Sequence, residues 1–262
     1  VRAEPVDIGL ACLLVGAETE PALDVDEPLA RLDELAAAVT LTPPVDVRGA
    51  ALALQAALGG AGFAGSAADY DDVRSSMLHE VLRRRRGLPL LLSVLWTEVA
   101  ARRDLPAYAV GLPGHVVVGI GDPDDEHVHV DPFGGGRPLG RDDLEALVQL
   151  STGGPLQPEH LRPVAPHDLL LRLLTNVRVL AARRPPSLEA ARTRLWAVEL
   201  SLLLPRHPLE LRRERGELLV RLGDHLGGAR ELEDFALAVE DGDAEVAETT
   251  RREARQARAR LN

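Results

Sequence analysis

The stretch GLPGHVVVGIGDPDDEHVHVDPFGGG, Gly111 to Gly136, decides the fold. Two β-branched runs, HVVVGI and HVHVDPF, flank the acidic turn DPDDE, which is the pattern of paired antiparallel strands. A third run of this kind, AYAVGL, lies just upstream, so a small antiparallel sheet is expected. His115 opens one strand and Asp131 closes the next. Side chains alternate along a strand, so His127, His129 and Asp131 share one face while Val128 and Val130 point to the other. These residues admit three readings: a catalytic dyad, a metal site, or a hydrogen-bonded pair that ties the sheet together. The flanking GLPG and DPFGGG are turn-forming, with glycines supplying positive φ.

Working outward, GLPLLLSVLWTEVAARRDL precedes the strands. With Pro89 in its first turn, it reads as an apolar helix buried on most sides, and Trp96 within it as core. Upstream, PLARLDELAAAV and VRGAALALQAAL carry apolar residues at helical spacing and are punctuated by Pro43, Pro44 and several glycines. Beyond Pro166 the chain is helical again, in units broken at Pro185–Pro186, Pro205 and Gly223, with Trp196 expected in the core. The organisation is α+β in three regions: a helical N-terminal region at 1–86, a helix-plus-strand core at 87–165 and a helical tail at 166–262. The tail has tetratricopeptide character, with Gly216, Leu219, Ala229 and Phe235 near positions where such repeats place small and bulky residues. At most one and a half repeats fit, whereas a solenoid needs about three to bury a continuous core. The tail helices are therefore expected to pack on the preceding domain, and the charged segment AEVAETTRREARQARARLN to form a solvated terminal helix that frays.

Composition limits the functions available. The chain has 262 residues, 45% hydrophobic and 27% charged, which is ordinary for a soluble globular protein. The first sixteen residues carry Glu4 and Asp7 and an apolar run too short to span a bilayer, so the expectation is a cytoplasmic protein with no signal peptide or membrane partner. A net charge of −11 disfavours a nucleic-acid partner, because a phosphate backbone rewards clustered cations. The run Arg83 to Arg86 is a local exception, read as a solvated helix end that complements the helix dipole. All 30 basic residues are arginine, which excludes a Walker-type phosphate loop, a Schiff base and a lysine general base. The single cysteine, Cys12, allows no intrachain disulfide, fits a reducing compartment and reads as an inert, packed small hydrophobe.

A helix followed by strands, with a histidine opening one strand and an aspartate closing the next, is what a papain-type acyl-transfer site requires. There a thiolate at a helix N-terminus is stabilised by the helix dipole, an imidazole accepts its proton and a carboxylate fixes the imidazole tautomer. The sequence resembles the SirB type of bacterial transglutaminase-like proteins, which join such a core to a tetratricopeptide-like tail. The resemblance covers most of the chain. It is carried by GFAGSAADYDDVRSSMLHEVLRRRRGLP (Gly62 to Pro89), GLPGHVVV (Gly111 to Val118), VDPFGGG (Val130 to Gly136) and RRERGELLVRLG (Arg212 to Gly223).

The resemblance implies that His115 matches the catalytic histidine and Asp131 its orienting aspartate. It supplies no nucleophile. Transglutaminases place cysteine near the start of the core helix, and the SirB type often has serine there, whereas Leu91 occupies that position in this chain. Ser66 and Ser75 stand where the family favours asparagine, Val116 where phenylalanine is common and Asp104 where glycine is usual. Ser93, two residues on from Leu91, is rotated about 200° around the helix, so it is expected to face away from the strand bearing His115 and to bond back to the Pro89 carbonyl. Tyr70, Arg74 and Glu80 suggest a polar lattice holding the N-terminal helices on the core.

A second reading gathers His115, His127, His129 and Asp131 into a ligand set suited to zinc or another borderline metal. The favoured expectation has no metal or other cofactor: a degenerate site that binds a peptide or protein segment or acts as a regulatory factor. The competing one is an acyl-transfer or hydrolytic enzyme in which His115 and Asp131 activate water or an unrecognised nucleophile.

Overall fold

The computed structural model describes residues 6–260, so Glu4 lies outside the described residues. It forms two compact units, Val1–Leu170 and Leu171–Asn262.

The first unit opens with three helices, α1 (Ile8–Ala17), α2 (Asp26–Ala37) and α3 (Val47–Leu54). Asp7 and Asp46 cap α1 and α3 by accepting from the backbone N–H three residues on. A π-helical turn, Gln55–Gly59, extends α3. Two 3-10 turns, Ala67–Asp71 and Val73–Ser76, lead into α4 (Leu78–Arg84). Helix α5 (Pro89–Ala101) starts with proline at its first turn, where the missing N–H costs nothing. Ten of its thirteen residues are buried, so it is the central helix the apolar run implied.

The sheet is an antiparallel meander, β1 (Ala107–Val110), β2 (Val117–Gly121), β3 (His127–Asp131) and β4 (Arg137–Leu139). Val118 pairs with Val130 and Gly119 with His129, so the two strands read from Gly111–Gly136 are neighbours. Strand β4 is an addition to the expected sheet. Its Pro138 lacks an N–H for a ladder, which hides the strand in the sequence and is tolerated at an edge. One apolar cluster joins Val110, Leu112, Val117 and Leu139 to Leu144 and Val148 of α6 (Arg141–Thr152). Helix α5 packs on β1 and β2.

The helical series comprises α7 (Pro166–Arg183), α8 (Leu188–Leu203), α9 (Glu210–Leu222), α10 (His225–Val239) and α11 (Ala244–Ala259), and the boundary between the units falls inside α7. Gly216 and Gly228 let α9 and α10 meet closely, because a Cβ at Gly216 would press on Leu232 and one at Gly228 on Val220. Ala229 and Phe235 are buried, while Leu219 is half-buried and its neighbour Leu218 takes the core place. Trp96 is core as expected, but Trp196 is only half-buried. The expectation of a fraying terminal helix is corrected: α11 buries Ala254 and Ala257 against Ala229 and Leu232 of α10. Ala247, Thr250, Ala254 and Ala257, spaced three or four residues apart, give it a buried stripe that its many charges conceal. Among the described residues, no helix is long and apolar enough to cross a membrane.

Candidate functional site

Two turns present the site. The His115 N–H donates to the Leu112 carbonyl in the turn before β2, where Gly114 has φ +72°, so His115 precedes the strand rather than opening it. Asp131 ends β3, and its carbonyl accepts from Gly136 at 2.7 Å, folding 132–136 back on itself with Gly135 and Gly136 at positive φ. A Cβ on Gly136 would overlap the Trp96 ring, so glycine there serves both the turn and the packing.

His115 Nε2 lies 3.0 Å from Asp131 Oδ1. The carboxylate accepts, so Nε2 carries the hydrogen and the bond fixes the imidazole tautomer. The Phe133 N–H also donates to Asp131 Oδ1 at 3.0 Å, which fixes the carboxylate from its own turn. The Phe133 ring meets His115 edge-on at 5.8 Å and Tyr70 at 5.8 Å on another side. Burial first, and then the charge of Asp131, push the Tyr70 phenol above its ordinary pKa. Tyr70 nevertheless remains 41% exposed, so it walls the site toward solvent.

The position expected to carry the nucleophile holds Leu91, in the first turn of α5 and 0% exposed. Ser93 departs from expectation: its hydroxyl donates to the Val116 carbonyl at 3.2 Å, not to Pro89. It therefore faces the segment that carries His115, with its proton committed to a backbone acceptor. Cys12 is buried, and burial, followed by the charges of Glu98 and Asp7, pushes its thiol pKa far up, which suppresses the thiolate needed for chemistry.

The lattice behind the site is built from residues the sequence reading did not single out for that role. Its hub is Asp69, 0% exposed. Asp69 accepts from the Ser66 N–H and hydroxyl at 2.8 and 2.9 Å, from the Ser75 hydroxyl at 2.7 Å and from Arg86 Nε at 2.9 Å. Burial raises its carboxyl pKa, but the bonds from Ser75, Arg86 and Ser66 outweigh it and hold the group below the usual aspartate value. Arg84 bridges from the Ser75 hydroxyl to Asp72. Of the four arginines, Arg84 departs from a solvated helix end, being half-buried against Asp72, while Arg83, Arg85 and Arg86 are exposed, with Arg86 bonded to Asp69 and Arg85 capping α4 at φ +60°. Of the trio expected to form the lattice, Arg74 pairs with Asp72 at the surface, Glu80 with Arg83, and Tyr70 meets Phe133 at a tilt of 59°.

The hub reaches both parts of the site through the backbone. The Ser75 carbonyl accepts from the N–H of Leu88, the residue that caps α5, and the Gly65 N–H donates to the Phe133 carbonyl. A Cβ at Gly65 would overlap the Phe133 ring.

The four-residue metal set does not converge. Among the described residues, the group of three or more histidine, cysteine or acidic side chains with ligand atoms within 4.8 Å of one another is Glu20, His79 and Glu80. His115 pairs with Asp131, while His127 and His129 meet edge-on at 5.0 Å. Burial, and then His127, push the His129 imidazole down to about 4, so it is neutral near pH 7.

A buried helix packed on an antiparallel sheet, with a histidine before one strand bonded to an aspartate that ends the next, defines the protein class. The chain belongs to the transglutaminase-like superfamily, whose family model matches residues 26–175. Its bacterial homologues are UPF0162 proteins. It is 36% identical over 174 residues to a UPF0162 protein of Xylella fastidiosa strain 9a5c, covering 64% of this chain and 60% of that one. To a UPF0162 protein of Pseudomonas aeruginosa it is 32% identical over 206 residues, 75% of this chain and 73% of that one. A more distant likeness, 29% over 93 residues, links 33% of this chain to 15% of mouse F-box only protein 21. The chain spans about 60% of the length of the Xylella proteins it matches. No solved structure matches it significantly.

Proposed function

We propose that this is a SirB-type protein of a reducing cytoplasm, carrying a tetratricopeptide-like tail, whose transglutaminase-like core binds a peptide or protein segment without covalent catalysis. The observation that carries the reading is Leu91, fully buried at the nucleophile position. A leucine offers no proton to remove and no electron pair to attack with. Neither alternative nucleophile replaces it: Ser93 is tied to Val116 and Cys12 is buried with its thiol pKa raised. On this reading His115 and Asp131 are kept for geometry, as the bond that ties the approach to β2 to the end of β3.

The 3.0 Å His115–Asp131 contact favours a second reading, hydrolysis in which His115 activates water. One comparison decides between them. Wild type, His115→Ala, Asp131→Asn and Leu91→Cys are assayed on a panel of peptide amides and esters. The expected result is no turnover above background in the wild type, a stability loss of about 1–3 kcal/mol in Asp131→Asn, and activity only in Leu91→Cys. Wild-type turnover that disappears in His115→Ala and falls by orders of magnitude in Asp131→Asn makes the protein an enzyme and overturns the proposal. Binding is tested on a peptide array, where the signal is expected to survive His115→Ala if that variant folds.

A further inference from the structure

The histidines left out of the His115–Asp131 pair form a group of their own. His127 and His129 project from one face of β3, and Tyr108 of β1 lies over the same face, with Gly119 of β2 between them. Gly119 makes the room, because a Cβ there would overlap the tip of the Tyr108 ring. The three rings meet edge-on, His127 to His129 at 5.0 Å and Tyr108 to His127 at 6.4 Å. Two polar atoms in this group, His129 Nε2 and Tyr108 Oη, are buried without a hydrogen-bond partner among the described residues. Unsatisfied polar atoms are costly to bury, and two in one cluster call for a common partner.

His127 adds orientation. Its Nδ1 lies 3.1 Å from the Asp122 carbonyl and 3.0 Å from the Asp125 carbonyl, both acceptors only, so Nδ1 carries the hydrogen and Nε2 keeps its lone pair. A backbone carbonyl behind the far ring nitrogen is how metal-ligating histidines are held. The spacing also fits. Two imidazoles bound tetrahedrally to one zinc at about 2.1 Å have ring centroids about 5 Å apart, and a bound phenol places its centroid about 6 Å from an imidazole.

We propose that His127 and His129 bind a divalent metal of the zinc class, with the Tyr108 hydroxyl as a third donor, at the acidic-turn end of the strand face from which Asp131 projects at the other end. The fourth position falls to solvent or a ligand. The acidic turn, with Asp122 and Asp124 close enough to act on Tyr108, lends the site a negative potential.

The full chain is titrated with zinc chloride by calorimetry and with cobalt(II) by visible absorption. One ion per chain and a tetrahedral cobalt spectrum are expected. His127→Asn and His129→Asn should each weaken binding at least about tenfold, and Tyr108→Phe by about threefold. Glu20→Gln, which alters the Glu20–His79–Glu80 group, should leave it unchanged. Circular dichroism checks that the variants fold. If His129→Asn does not, His127→Asn at the half-buried strand end carries the test alone. No stoichiometric binding, affinity unchanged in His127→Asn, or affinity lost in Glu20→Gln instead would each overturn the assignment.

Discussion

Two buried regions meet at the start of α5, and they are built in opposite ways. Around Asp69, a fully buried charge is met by two serines and an arginine, with Arg84 and Asp72 extending the network. One turn into α5, where acyl transfer would need a polar nucleophile, the buried residues are Leu90, Leu91 and Leu92. The first region is held by polar groups; the second is held by apolar packing. The difference teaches that polar positioning and apolar packing can be enforced by separate contacts at the two ends of one short connection.

The comparison breaks most readily at Leu91. If this residue is core, Leu91→Ala leaves a cavity and costs about 2–5 kcal/mol in urea unfolding. A cost below about 1 kcal/mol would mean the position has room for a polar group, and the contrast would fail. Asp69→Asn tests the other side. It removes the charged acceptor that the Ser66 and Ser75 hydroxyls and Arg86 share and should cost about 1–3 kcal/mol, since Asp69 is buried while Arg86 stays partly in solvent. The cost should be accompanied by faster amide exchange at Leu88 and Gly65, whose N–H groups tie the hub to the site.

Acid titration sharpens the same contrast. Burial raises the Asp72 carboxyl pKa, but bonds from Arg74 and the Arg84 charge bring it down to about 2. Because the folded value lies below the unfolded value of about 3.8, Asp72 contributes stability that is present above pH 3.8 and lost as pH falls toward 2. The contribution is about 2 kcal/mol, and Asp72→Asn should flatten that part of the stability profile. The smallest effect concerns Asp104, which stands at φ +55°, a conformation that glycine adopts without strain. The Ser66 and Ser75 hydroxyls, by contrast, serve the hub. Asp104→Gly should therefore raise the unfolding free energy by about 0.5–1 kcal/mol, whereas glycine at 66 or 75 should lower it.

The sheet and the His115–Asp131 pair were legible in Gly111–Gly136 because alternation and turn residues are local signals. The hub was not, because its members are joined by bonds from Asp69 to residues 6 and 17 positions away, and no periodicity marks such a partner. Strand β4 was hidden by Pro138, and α11 by charges that outnumber its buried alanines. Ser93 was misjudged by helix geometry alone. A rotation of about 200° from position 91 excludes one direction, but it does not say which backbone lies in the other.

That serine sets a rotational constraint on the whole core. Its bond from the middle of α5 to the Val116 carbonyl acts as an index pin between a cylinder and a plate, since α5 cannot roll or slide by a residue without breaking it. Any side chain installed at position 91 inherits a fixed azimuth and height relative to the segment bearing His115. A redesign at that position therefore needs to choose only chemistry and length, because direction is already set two residues away.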